Sequence, residues 1–144
     1  MMHLEHINLV VLDLAKSLKF YQAAFPHWQV RGSGTGDWYG KPRTWLHFGD
    51  NEQYIALSDH GEGQNRNLKG TQVGLAHFAY VCDDLKGLIQ RLQKANFSPH
   101  IGPTFAENRS NVYYLDADGF EVEFVQYHSD DPSIRNDYTS YISG

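Results

Sequence analysis

The apolar residues of this chain recur in two closely similar patterns. The segment from Leu4 to Leu14 (LEHINLVVLDL) returns as the segment from Leu75 to Leu85 (LAHFAYVCDDL), at a constant offset of 71 positions. In each copy, a run of apolar and β-branched residues predicts a strand, and the following Asp is a typical helix N-cap. Similarity at a fixed offset through strand, turn and helix indicates a tandem repeat.

The first repeat reads as a strand, a helix and three further strands. Apolar residues at helical spacing after Asp13 predict a helix that Pro26 ends, because proline disfavours helix at the preceding residue. The other elements are a first strand at 4–11, a short strand at 28–31, a glycine-rich loop at 32–43, and strands at 44–49 and 54–58. The loop holds two aromatic residues and is either a disordered excursion or a lid that faces a substrate.

The second repeat shows the same order of elements. Its elements are a strand at 75–82, a helix after Asp84, and strands at 98–101, 111–115 and 120–127. We therefore predict an α+β fold of two tandem βαβββ units whose curved mixed sheets enclose a cleft. The predicted division is a first unit at 1–58, a linker at 59–72, a second unit at 73–128 and a tail at 129–144.

Two open four-stranded sheets leave apolar faces that must be covered. The sheets close either on each other within one chain or on a second chain, and we expect a homodimer. Tyr138 and Tyr141 in the polar tail are candidates to anchor it on a neighbour.

The composition limits the classes of molecule that this protein could bind and the compartment in which it works. The formal net charge of -5 is not concentrated in any run, which argues against nucleic acid or an anionic membrane surface as partner. No apolar run near the start is long enough to span a bilayer. The single cysteine excludes an internal disulfide, and no secretory leader opens the chain, so we expect a cytoplasmic protein.

His6 and His77 occupy equivalent positions on the first strands of the two repeats. Strand alternation places them on the same side as their neighbours Asn8 and Ala79. A single histidine in a strand is more often an ordinary structural residue. Packing gives no reason to select imidazole twice at equivalent positions, so the pair indicates a chemical role.

The last strands of the repeats align at an offset of 67, which sets Ala56 against Glu123. Glu123 is framed by apolar residues, and a buried carboxylate needs a cation, hydrogen bonds or a proton. With His6 and His77 it makes a two-histidine, one-carboxylate set that suits a divalent ion of Fe, Mn, Ni, Co or Zn. The alternative is a surface carboxylate on an edge strand, which stays open because Glu121 shares its face.

The chain resembles the vicinal oxygen chelate superfamily, which includes glyoxalase I, extradiol ring-cleavage dioxygenases, fosfomycin-modifying transferases and bleomycin-binding proteins. The resemblance covers residues 4–127 and rests on the two His-x6-Asp-Leu openings and on the segment 113–124 (YYLDADGFEVEF). It implies paired βαβββ units with a metal held by His6, His77 and Glu123, and a fourth ligand position at Ala56.

Ala56 departs from the pattern of two other members of the superfamily, glyoxalase I and methylmalonyl-CoA epimerase, which are similar in carrying a ligand there, usually glutamate, for metal binding and proton transfer. The remaining ligand set resembles that of the dioxygenases with Fe(II) and of the transferases with Mn(II). The transferases have threonine where this chain has Asn8. Substitution for the missing carboxylate from a shifted register stays open for His47, Ser58 and His60.

We therefore expect a divalent-metal-dependent enzyme that acts on a small molecule through two vicinal oxygens. The catalytic candidates are Tyr114, Tyr54 and His47, and Trp38, Trp45 and Asn8 are candidates to line the cleft. One alternative is a non-catalytic ligand-binding protein similar to the bleomycin-binding members. Others are a glyoxalase I-like lyase with a substituted fourth ligand and a metal-binding protein that has lost catalysis.

Overall fold

A computed structural model describes residues 1–139, and the chain divides into two compact units. Unit 1 comprises residues 1–72 together with 116–120, and unit 2 comprises residues 73–115 and the described residues from 121 onward. Each unit holds one four-stranded mixed sheet, so the predicted α+β class of two repeated sheets is confirmed. In the described part, no helix has the length and apolar character needed to cross a membrane.

Unit 1 contains one helix and one sheet. Its elements are β1 (His6–Val10), α1 (Leu14–Ala24), β2 (Gln29–Trp38), β3 (Lys41–Gly49) and β4 (Tyr54–Ser58). The strand order is β1-β4-β3-β2, in which β1 and β4 are parallel and the other pairs are antiparallel. The first and last strands of the repeat are therefore neighbours in the sheet.

The glycine-rich segment 32–43 belongs to a β-hairpin, so its prediction as a loop was wrong. β2 and β3 pair from Gln29 opposite Gly49 to Trp38 opposite Lys41. The turn residues Tyr39 and Gly40 both have positive φ, as a two-residue hairpin turn requires. Glycines at alternate positions of β2 remove the hydrophobic alternation that would have revealed the strand.

Helix α1 begins where the sequence predicts. The Asp13 side chain accepts a hydrogen bond from the Lys16 backbone N–H at 3.0 Å, which is an N-cap. The fully buried residues on the helix are Ser17, Phe20, Tyr21 and Ala24. Leu18 is only partly buried, because the stripe that packs on the sheet runs through Ser17 and Phe20.

Unit 2 repeats this arrangement. Its elements are β5 (Phe78–Val81), α2 (Leu85–Lys94), β6 (Ile101–Phe105), β7 (Arg109–Leu115), β8 (Glu121–Tyr127) and α3 (Pro132–Arg135). The strand order is β5-β8-β7-β6, with β5 parallel to β8. Helix α2 is capped by Asp84 and buries Leu85, Leu88 and Leu92. Tyr138 is exposed, and Tyr141 lies outside the described residues.

The turn at 116–120 joins β7 to β8 but packs as part of unit 1. The buried Asp116 carboxylate accepts hydrogen bonds from the Asp118 and Phe120 backbone N–H groups and from the Tyr21 hydroxyl at 2.6 Å. The Asp118 carboxylate accepts from the Ser17 hydroxyl at 3.2 Å. Burial raises the pKa of Asp116, which these hydrogen bonds to its carboxylate oppose.

Candidate functional site

One face of the unit 1 sheet carries the polar residues of β1, β3 and β4. His6 pairs with Tyr54, Asn8 pairs with Ala56, and Ala56 pairs in turn with His47. Since paired residues point to the same side of a sheet, these five side chains share one face. We call it the polar face of unit 1.

Aromatic rings stand in a row on this polar face. The His6 and Tyr54 rings stack at 4.6 Å between centroids, and Tyr54 stacks on His47 at 4.4 Å. The row continues from His47 to Trp45 at 5.0 Å, and the Arg31 guanidinium lies 4.5 Å from the Tyr54 centroid. Stacking fixes the orientation of both imidazoles, and burial lowers the pKa of His47, so this side chain is neutral at pH 7.

His6 is oriented by its sequence neighbour Glu5. The His6 Nδ1 and Glu5 Oε1 atoms are 2.8 Å apart, and the hydrogen bond from His6 lowers the pKa of the Glu5 carboxyl. An ionised carboxylate only accepts hydrogen bonds, so Nδ1 carries the proton. In the neutral imidazole, Nε2 then holds the lone pair that a metal or a proton would take.

In unit 2, His77 and Glu123 lie together on the corresponding face. Glu123 pairs with Ala79 on β5 and with Tyr113 on β7, and the alternation puts His77 on the same side. His77 Nε2 lies 3.4 Å from Glu123 Oε1, and His77 Nδ1 lies 3.7 Å from Glu121 Oε1. His77 therefore lies between two carboxylates, and unlike His6 in unit 1 it makes no short hydrogen bond from Nδ1 to either of them.

The buried Glu123 carboxylate is held by a cation and an amide at one of its oxygens. Its Oε2 accepts hydrogen bonds from Arg109 Nη2 at 3.1 Å and from Asn111 Nδ2 at 3.0 Å, while Oε1 is turned toward His77. The Glu123 side chain is 7% exposed, so this ion pair offsets a desolvation cost that the carboxylate would otherwise bear alone.

Three members of the unit 2 cluster, Arg109, Asn111 and His100, were missed by the sequence reasoning. Arg109 lies two residues before Asn111 on β7, and strand alternation would have placed it on the face of Glu123. His100, just before β6, extends the cluster because its Nε2 lies 3.7 Å from Glu121 Oε2. No pattern in the sequence signals the contact of His100, which depends on how β6 pairs with β7.

Two of the three catalytic candidates lie on the polar face. His47 and Tyr54 do, but Tyr114 pairs with Val122 on the opposite face of its sheet, and its side chain is 1% exposed. Burial raises the pKa of Tyr114. The residue that shares the face of Glu123 is Tyr113, whose ring meets His77 edge-on at 5.4 Å.

A difference in turn length explains the displacement of Tyr114. The β3–β4 turn occupies residues 50–53, whereas the β7–β8 turn occupies residues 116–120 and is one residue longer. The offset of 67 therefore holds for the last strands but falls to 66 for the strands before them. His47 is equivalent to Tyr113, and Arg43 is equivalent to Arg109.

The donor chemistry of these residues suits a divalent ion, although their arrangement is incomplete. Within residues 1–139, no three His, Cys, Asp or Glu side chains are grouped so as to hold a metal ion. The pair of His77 Nε2 and Glu123 Oε1 is longer than a charge-assisted hydrogen bond of about 2.7–2.9 Å. A cation bound by both atoms, each about 2.1 Å from it, fits this separation. His6 belongs to unit 1, and Ala56 offers no ligand.

Comparisons with known proteins agree with this architecture. Residues 3–124 match the profile described as the Glyoxalase/Bleomycin resistance protein/Dioxygenase superfamily. A glyoxylase/bleomycin resistance protein/dioxygenase domain from Frankia sp. EAN1pec superposes with a TM-score of 0.74 at 22% identity, covering 92% of this chain and 96% of that one. Among curated proteins, none matches the chain.

Two further solved structures have the same fold. A glyoxalase family protein from Bacillus cereus has a TM-score of 0.68 at 14% identity and covers 90% of this chain and 96% of its own. The fosfomycin resistance protein FosX from Listeria monocytogenes, complexed with Mn(II) and sulfate, has a TM-score of 0.60 at 19% identity, covering 88% and 93%. At these identities the likeness shows the fold alone.

Proposed function

Since the chain belongs to the glyoxalase/bleomycin resistance protein/dioxygenase superfamily, we propose that it is a divalent-metal-dependent enzyme. His6, His77 and Glu123 would hold the ion. One observation carries the proposal: His77 Nε2 faces the buried Glu123 carboxylate at 3.4 Å, and the equivalent histidine of unit 1, His6, donates its Nδ1–H to Glu5 and keeps Nε2 for a ligand bond. Histidines that bind metals typically donate their other ring N–H to such a group.

The substrate in this proposal is a small molecule with two vicinal oxygens. A bound divalent ion would supply Lewis-acid polarisation of these oxygens or bring the substrate together with dioxygen. Ala56 provides no oxygen, so the protein has three ligands and lacks the fourth that a glyoxalase I-like lyase uses. A set of two histidines and one glutamate favours Fe(II) or Mn(II). The Mn(II) of the Listeria FosX structure supports a divalent ion in this fold.

His47 is the proposed general base. It lies opposite Ala56 in the sheet, where a carboxylate is missing, and its lowered pKa keeps the imidazole unprotonated and able to accept a proton at pH 7. Tyr54 holds His47 in place by stacking. Tyr113 beside Glu123 takes the part that we assigned to Tyr114, since its hydroxyl is on the face of the carboxylate.

The second candidate function is ligand binding without catalysis. In both proposals the protein acts as a homodimer. Arg109 and Asn111 already satisfy one oxygen of Glu123, so the carboxylate does not depend on a metal for compensation. The row of rings on the polar face of unit 1 also offers an aromatic surface for a ligand.

A pH profile of His47→Gln distinguishes the two. Catechols and fosfomycin are screened with Fe(II) and Mn(II), and kcat/KM is then measured between pH 5 and pH 8, near the titration range of histidine, about 6.5. We expect the variant to lose about 10²–10⁴-fold in kcat/KM. In the wild type the acid limb lies below the usual histidine pKa, because a lowered pKa keeps the base unprotonated to lower pH.

The matched control is His3→Gln, at an exposed histidine near the start of the chain. We expect His3→Gln to leave the pH profile of kcat/KM unchanged. Turnover by His47→Gln with the wild-type acid limb would remove His47 from the mechanism. Saturable binding of these compounds without turnover under either metal would favour the ligand-binding protein.

A further inference from the structure

A second group of polar side chains lies at the far end of the polar face of unit 1. Ser58 follows Ala56 by two residues on β4, so the two side chains point the same way about 7 Å apart. The Ser58 Oγ and His60 Nδ1 atoms are 2.7 Å apart, and Arg43 Nη1 donates to the same Oγ at 3.3 Å. Three groups able to donate hydrogen bonds therefore meet at one place.

Trp38 covers this group. Its ring stacks on His60 at 5.1 Å between centroids, and the Arg43 guanidinium lies 5.0 Å from the Trp38 ring centroid. Trp38 directly precedes the two-residue hairpin turn and is 39% exposed. An outward swing of its indole would open the guanidinium to a ligand.

The charge of Arg43 has no anionic partner among the described residues. No carboxylate lies within ion-pair distance of it, and its Nε–H is buried without an acceptor in that part of the chain. Its charge also contributes to the lowered pKa of His47. A buried donor on a charged group, left without an acceptor, is costly and rarely persists without a function or a ligand.

Comparison of the repeats identifies the missing partner. Arg43 lies four residues before His47 on β3, as its equivalent Arg109 lies four residues before Tyr113 on β7. In unit 2, Arg109 binds the Glu123 carboxylate at 3.1 Å. In unit 1, the position equivalent to Glu123 is Ala56, so the cation has been kept and its carboxylate lost.

We propose that Arg43, Ser58 and His60 form an oxyanion-binding site under Trp38, which takes the carboxylate or phosphate group of a small acidic molecule. The ligand supplies in unit 1 the anionic group that Glu123 supplies in unit 2. A guanidinium presents a planar fork of N–H donors that matches such oxyanions, and the Ser58 and His60 side chains add donors beside it. The site requires no metal. If the proposed function also holds, the substrate is an acid.

The test is an NMR titration of the full chain at pH 7 in the presence of a chelator. Inorganic phosphate and acetate are added separately at constant ionic strength, and the Arg43 Nε–H and Trp38 indole N–H signals are followed. We expect a saturable shift of both signals with at least one of the two anions. The anion that binds more tightly identifies the phosphate or the carboxylate as the ligand group.

Variants assign the binding to this site. Arg43→Lys is expected to weaken binding about tenfold or more, because a charge-assisted fork is replaced by a single ammonium. His60→Asn is a second test at a partly exposed position, in case the arginine variant folds poorly. We expect it to lower the affinity for the anion several-fold. Lys41→Gln is the matched control on the same strand, since the charge of Lys41 is already paired with Glu62.

Three results would overturn the proposal. They are the absence of a saturable shift with either anion, equal affinity in the wild type and in both site variants, and the same response to chloride. Because a chelator is present throughout, such a failure leaves the metal proposal untouched. Loss of the metal proposal would likewise leave a positive anion titration intact.

Discussion

The two repeats carry opposite kinds of residue at one equivalent position of their last strands. On β8, Glu123 is buried and held by Arg109 and Asn111, with one oxygen turned toward His77. On β4, the equivalent residue is Ala56, which lies opposite His47, and the His47 ring stacks on Tyr54. The comparison teaches that the buried carboxylate forms a set with the arginine and the asparagine that hold it. Unit 1 lacks the carboxylate but keeps the equivalent arginine, Arg43, whose charge is then available to a ligand.

The largest effect is expected from breaking the set in unit 2. Arg109→Met leaves Glu123 buried without its cation, which is expected to lower the free energy of unfolding by about 3 kcal/mol. Denaturant unfolding measures the change. Lys41→Met is the control in unit 1, since the Lys41–Glu62 pair is largely exposed and its loss should leave stability unchanged. Equal effects of the two variants would contradict the burial argument.

The turns that precede β4 and β8 also differ in whether their carboxylate is buried. Asp50 in the first turn is exposed and accepts hydrogen bonds from the Glu52 and Gln53 backbone N–H groups, whereas Asp116 in the second turn is buried against Tyr21. Tyr21→Phe removes one hydrogen bond to a buried carboxylate and is expected to cost about 2 kcal/mol at pH 7. The control is Tyr39→Phe at the exposed tip of the first hairpin.

The cost of Tyr21→Phe should depend on pH. The Tyr21 hydroxyl donates to the ionised form of Asp116, so its removal raises the pKa of Asp116 further above the unfolded value. The wild type therefore gains most from this bond when Asp116 is ionised. The difference in stability shrinks as the pH falls through the raised pKa of Asp116. A cost that grows toward acid pH would contradict this sign.

The smallest effect is expected from restoring the symmetry. Ala56→Glu places a carboxylate near Arg43, and Ala56→Gln is its uncharged match. We expect the glutamate variant to be more stable than the glutamine variant by about 1 kcal/mol in the presence of a chelator, because Arg43 gains an anionic partner. Thermal and denaturant unfolding of the two variants measure the difference. A less stable glutamate variant would mean that Arg43 does not reach this position.

The sequence contained most of the repeat and part of the site. The repeated openings predicted both helices with their Asp13 and Asp84 caps, because capping and helical periodicity are local signals. Strand β2 was predicted only as far as residue 31, because the alternate glycines that follow remove the hydrophobic period. Tyr114 was chosen over Tyr113 because a one-residue difference in turn length reverses the face of every residue in a strand.

The parts that could not be predicted depend on contacts between distant segments. Nothing near residues 116–120 indicates that this turn packs on Tyr21 in the other repeat. The partner of Glu123 was expected to be a cation, a set of hydrogen bonds or a proton. The structure supplies Arg109 and Asn111, which only the pairing of β7 with β8 brings into reach.

The most direct test of the central claim is the metal content of protein purified without chelator. The wild type is compared with His6→Ala, His77→Ala and Glu123→Ala, with His3→Ala as a control at an exposed histidine. We expect about one first-row divalent ion per chain in the wild type and the control, and its loss from the other three variants. A wild type that takes up no ion when several metals are offered, or variants that keep it, would contradict the account.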